Sequence, residues 1–151
     1  MTIAKNSNLI PTICKIFFAP ISDIYSISIV TDRFHRLVTF KNSKAWQEVY
    51  FTPGSADFTE KPKDTDPGEL IEQSLKFMFP GEDDTNLVAL DAILGRPGLV
   101  KIEYTGDVSK LMGDLENGAK ITQNYQISAK GTGSQLEASC MATYRACWVS
   151  E

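Results

Sequence analysis

Apolar and polar side chains alternate without interruption over residues 136–148. Leu136, Ala138, Cys140, Ala142, Tyr144, Ala146 and Trp148 fall on one side. Glu137, Ser139, Met141, Thr143, Arg145 and Cys147 fall on the other. A period of two predicts a β-strand with one buried and one polar face. Such a strand exceeds the roughly 5–6 residues of an average one. It needs an equally long sheet beside it, of the kind often completed by another copy of the chain.

Shorter runs of the same kind occur upstream. Residues 13–19 and 25–30 are apolar and β-branched and are separated by Pro20 and Asp23, which predicts two strands and a turn. Residues 36–40 and 46–52 predict two more, joined by Lys41-Asn42-Ser43. From 53 to 68 the chain becomes polar and rich in Pro and Gly, which predicts a protruding loop, the tip of a hairpin between residues 55–60 and the next strand. Two patterns compete over 69–79. Ile71, Leu75, Phe77 and Phe79 alternate with Glu72, Ser74 and Lys76 as in a strand, whereas Leu70, Ile71, Leu75, Met78 and Phe79 fit a helical stripe. Pro80 and the aromatic pair favour the strand.

Residues 84–94 predict one helix. Asp84 or Thr85 can cap it, Leu87, Leu90, Ile93 and Leu94 form its apolar stripe, and Gly95 ends it. The acidic Glu82, Asp83 and Asp84 suit the positive end of the helix dipole. Strands are again predicted over 99–105, 109–113 and 119–129, with Lys130-Gly131-Thr132-Gly133 leading into the terminal one. The fold class expected is mainly β (α+β): a β-sandwich or barrel-like pair of antiparallel sheets, one short helix and an extended hairpin loop. An N-terminal arm, 1–12, would precede a single β-rich domain, 13–151.

Composition narrows the function. The 151 residues are 42% hydrophobic and carry a net charge of −4, so a packed core is expected and a basic surface for gripping DNA is not. Cys14, Cys140 and Cys147 are an odd count without zinc spacing, which points to reduced thiols. The apolar region over 13–30 is broken by Lys15, Pro20 and Asp23 and reads neither as a membrane span nor as a signal peptide.

Chemistry is sparse. His35 is the sole histidine, which excludes any two-histidine site. The acidic groups Asp64/Asp66 and Glu82/Asp83/Asp84 lack the spacing of a calcium loop. Lys130-Gly131-Thr132-Gly133 precedes a strand, whereas phosphate loops open a helix. No Ser or Cys sits in a nucleophile elbow. Aromatics such as Phe17, Phe18, Phe34 and Trp46 lie without interleaved basic residues, which suits core packing better than a nucleic-acid platform. No enzyme activity, cofactor or metal is expected.

The order of elements — arm, hairpins, long charged loop within a hairpin, one helix, then antiparallel strands — resembles the tail-tube (major tail) proteins of long-tailed bacteriophages. The run from Gly68-Glu69-Leu70-Ile71 through Lys76 into Pro80, and the 100–113 hairpin with Lys110-Leu111-Met112-Gly113, carry the likeness. The resemblance implies a virion subunit, made in the host cytoplasm, that assembles into hexameric rings stacked as a conduit for DNA. Its partners would be further copies of itself, other tail or connector proteins, and DNA passing without specific binding; no membrane is involved. Glu72, Ser74 and Lys76 would face the lumen. Glu60, Lys61, Lys63, Asp64, Asp66 and Glu69 would contact neighbouring subunits. A head–tail connector, a tail terminator and a small β-rich protein-binding module are the alternatives.

Overall fold

The computed structural model describes residues 12–30, 32–65, 68–79, 84–106, 108–128 and 131–150. In chain order, β1 (Ile13–Pro20) leads through a short 3-10 turn to β2 (Ile24–Val30), β3 (Asp32–Phe40) and β4 (Gln47–Val49). The hairpin β5 (Asp57–Thr65) and β6 (Gly68–Phe79) comes next, then α1 (Asp84–Ile93), β7 (Gly98–Tyr104) and β8 (Val108–Met112). The chain closes with β9 (Lys120–Ser128), β10 (Gly131–Ala142) and β11 (Cys147–Val149).

These strands form two sheets. One has seven strands in the order β2-β3-β11-β8-β7-β1-β4, the other four in the order β5-β6-β10-β9. Every pairing is antiparallel except β11 with β3. The protein is therefore mainly β, with a sandwich-like arrangement and one helix, as the alternation implies.

Both sheets turn apolar residues toward a shared core. Ile16, Phe18, Val100, Ile102 and Met112 come from the larger sheet; Leu75, Phe77, Leu136 and Ala138 come from the smaller. Leu90 and Ile93 of α1 join them, and Gly95, at φ +73, ends the helix in the left-handed conformation that glycine tolerates. A second, small core lies on the opposite face of the larger sheet. There Ala19, Leu99 and Leu111 pack with Ile24, Val38, Phe40 and Trp46. Full burial of each large side chain contributes about 1.5–3 kcal/mol.

The ambiguous 69–79 run is a strand. Ile71, Leu75, Phe77 and Phe79 are buried, and Gln73 is buried with them. Two boundaries differ from expectation. The polar stretch after residue 53 is not all loop, since β5 pairs with β6 from Asp57 to Thr65. Its Pro62 and lysines suit an edge strand, where a missing N–H and flanking charges are tolerated. The expected terminal strand breaks after Ala142. β10 lies inside the four-stranded sheet, paired to β6 and β9 of the same chain, so it needs no second copy. Residues 143–146 then cross to the other sheet, where β11 pairs with β3 and β8. The crossing reverses the facing: Cys147 is buried and Trp148 exposed. The arm over 1–11, Asp66, and the side chains of Asp84, Thr85 and Leu87 lie outside the described residues.

Candidate functional site: the polar face of the four-stranded sheet

Strand parity places Glu72, Ser74 and Lys76 together on the solvent side of β6. Register then adds neighbours on both sides. Lys76 stands between Asp57 and Glu137, Ser74 between Thr59 and Ser139, and Glu72 between Lys61 and Met141. These residues form a shallow groove of about 400 Å³ lined by Asp57, Thr59, Lys61, Glu72, Lys76 and Glu137 around Ser74. Ser74 Oγ donates to Glu137 Oε1 at 3.1 Å, and Lys61 Nζ lies 3.9 Å from Glu72 Oε2. Such exposed ion pairs are weak, of order 0–1 kcal/mol. Their value is in the pattern of sign. By register the face carries Asp57, Glu72 and Glu137 among Lys61, Lys63, Lys76 and Lys120, three acids to four lysines, so both signs are interspersed across it. With acids standing between the lysines and hydroxyls among them, the face offers phosphate no concentrated basic grip.

The six expected contact residues separate. Lys61 joins the groove. Lys63, Asp64 and Glu69 stay exposed toward the hairpin tip, with Asp64 opposite Glu69 in register. Glu60 turns the other way. Its Oε2 accepts from Ala146 N at 3.0 Å and from Gln73 Nε2 at 3.3 Å, so it steadies the crossing between sheets. Gln73 Oε1 in turn accepts from Gly113 N (3.0 Å) and from the Cys140 thiol (3.2 Å). Asp114 completes this interior network. Its Oδ1 accepts from the backbone of Glu116 and Asn117, and its Oδ2 from Thr143 N and Oγ1.

Sequence reasoning missed Asp57, Thr59 and Glu137 as members of the groove, although strict alternation already put Glu137 on the polar side. Gln73 and Asp114 carried no local signal. His35 is half-buried on β3, with Nδ1 2.9 Å from Asp32 Oδ1. That bond, with one from Phe34 N, holds the Asp32 carboxyl below the usual range. Among the described residues no group of three or more metal-ligating side chains converges, and no helix is long and apolar enough to cross a membrane.

The three thiols are free and differ sharply in setting. Cys14 is exposed. Burial, reinforced by the Asp114 and Glu60 carboxylates, pushes the Cys140 thiol up to about 12, and burial also raises Cys147. Because the thiolate is the nucleophile, a raised pKa means less reactive sulfur at pH 8. A colorimetric disulfide reagent at pH 8 should therefore titrate Cys14 alone in the native protein and all three cysteines in denaturant. A second fast thiol would contradict the packing around Cys140 and Cys147.

No family model, curated protein or solved structure matches this chain.

Proposed function

We propose that the chain is a structural virion subunit of the tail-tube type, which joins copies of itself edge to edge into rings stacked as a conduit for DNA. The observation that carries this reading is the edge that β2 presents, with no strand beside it among the described residues. Its sequence, Ile24-Tyr25-Ser26-Ile27-Ser28-Ile29-Val30, has no charge and no proline, and Tyr25 and Ile29 are 73% and 66% exposed. The register of β2 with β3 shifts only at the two ends, between Ile24 and Ser26 and between Ile29 and Val30, and uncharged edges of this kind template pairing with another chain unless blunted. The contrast lies within the same molecule. β5 is blunted by Lys61, Pro62 and Lys63, and β4 is only three residues long. β9 is a further long edge, bridged to Leu94 at Ile121, so head-to-tail pairing of β2 with the part of β9 beyond Ile121 in the next copy would close a ring when the rotation per copy allows. The mixed-charge face bearing Glu72, Ser74 and Lys76 would line the lumen, with the β5–β6 tip reaching a neighbouring ring.

Negative-stain electron microscopy and sedimentation velocity of the concentrated protein test this. Rings or short tubes are expected from the wild type, and Ile29→Lys should hold the chain as a monomer with its melting temperature unchanged. A wild type that stays monomeric at high concentration would remove the proposal. Stoichiometric capture of a host protein at the β2 edge, without self-assembly, would point to the binding-module alternative.

A further inference from the structure

The parallel pairing of β11 with β3 brings the start of β3 against the crossing segment 143–146. Between them is a recess of about 270 Å³, lined by Arg33, Phe34, Arg36, Tyr144, Arg145 and Cys147, with Ala146 at its back. Three arginines thus line one recess that has no acidic residue among its walls, and the guanidiniums of Arg33 and Arg36 lie over two of its aromatic rings. Arg36 is the unusual member. It is only 9% exposed, its guanidinium carbon stands 4.8 Å from the Tyr144 ring centroid, and its Nη1 is buried without a hydrogen-bond partner. Arg33 lies over the Phe34 ring at 4.9 Å and, like Arg145, is exposed.

A buried polar nitrogen on a permanent cation is costly to leave unsatisfied. Arginine cannot relieve that cost by losing its proton. The nearby acids are already engaged. Asp32 accepts from His35 and Phe34 N, Glu60 from Gln73 and Ala146 N, and Asp114 from Glu116, Asn117 and Thr143. The fold therefore places planar cationic donors and aromatic walls together and leaves one donor open, while the nearby carboxylates accept hydrogen bonds elsewhere.

We propose that this recess binds an oxyanion, a phosphate or carboxylate group, held by Arg36 at its base and by Arg33 and Arg145 at its mouth. The planar guanidinium fork matches the spacing of two such oxygens. The Tyr144 ring covers one side of the buried Arg36 guanidinium, and shielding from water on that side strengthens the contact. The group can arrive as a free small anion or on an acidic side chain of a second copy. The site stands independently of the ring proposal, since it uses neither β2 nor the polar face.

Amide NMR spectra of the full chain, titrated with inorganic phosphate or acetate at constant ionic strength, test it. Saturable shifts confined to 33–36 and 144–147 are expected. Arg36→Met should weaken binding at least about tenfold, the worth of a charge-assisted hydrogen bond. The exposed pair Arg33→Ser with Arg145→Ser should weaken it by a similar factor, and this variant keeps the buried packing if Arg36→Met fails to fold. Sedimentation velocity with and without phosphate identifies the source. Phosphate that dissociates an oligomer marks a carboxylate supplied by a second copy, and unchanged mass marks a free anion. Shifts that do not saturate, that spread over the whole surface, or that survive both variants undiminished overturn the site.

Discussion

Replacing Gln73 with leucine is expected to lower stability by about 3 kcal/mol, read as a fall in the urea midpoint at unchanged slope. Gln73 is 1% exposed and sits on an otherwise apolar face of β6. Its amide is the hub that ties the two sheets together. Oε1 receives Gly113 N and the Cys140 thiol, while Nε2 donates to Glu60 Oε2 and to Tyr144 O at 3.4 Å. Leucine fills the space but strands the Gly113 N–H and removes a donor from the Glu60 carboxylate. Each buried group left unpaired costs about 1–3 kcal/mol, more where charge is involved. Glu60→Gln keeps the shape and removes the charge. A cycle combining it with Gln73→Leu should be clearly non-additive, because the two side chains share one bond. A loss below about 1 kcal/mol for Gln73→Leu would mean water replaces the amide and the hub is not structural.

Gly98→Ala is expected to be comparably damaging, at about 3 kcal/mol, the upper range for overpacking, measured as a drop in melting temperature. A Cβ at Gly98 would stand 2.5 Å from the carbonyl oxygen of Ala19 and 2.5 Å from a Phe18 ring carbon. Neither can retreat cheaply. Ala19 is locked in the β1–β7 ladder, and Phe18 is fully buried in the main core. Gly98 also exchanges two backbone hydrogen bonds with Ala119, at 2.9 and 2.8 Å, so its own backbone cannot shift without breaking them. Gly54 is the control. It adopts φ +81 but has open space around it, so Gly54→Ala should cost only the left-handed conformational penalty, about 1 kcal/mol. Equal losses at the two positions would show that the close approach at Gly98 is not what fixes that residue as glycine.

Parity carried most of what the amino-acid order revealed. It identified β6 and its two faces, the inward Leu136, Ala138 and Ala142 of β10, and hence three residues of the polar groove. The helix was legible from Leu90 and Ile93 followed by Gly95. Parity failed where the chain changes partners. Alternation continues past Ala142 on paper, yet the turn there is held by Asp114 and Glu60, which are distant in sequence and invisible to any local window. Residues 61–65 look like loop because the run Lys61-Pro62-Lys63-Asp64 is polar and broken by proline; pairing with the backbone of β6 extends the strand expected over 55–60 through them. The arginine recess could not be foreseen, because it depends on β11 lying parallel to β3, and nothing in a three-residue strand specifies its partner.

That three-residue strand also divides the larger sheet mechanically. The β2–β3 hairpin joins the other strands through β11 alone, aided by the small second core around Leu99 and Leu111. Among the described residues, the exposed apolar margin at Ile29 is thus carried on a hairpin whose neighbouring strand is three residues long. A hairpin docked through so short a ladder should open locally at lower free energy than β6 and β10, which pair over nine positions, and hydrogen exchange of their amides would read the difference.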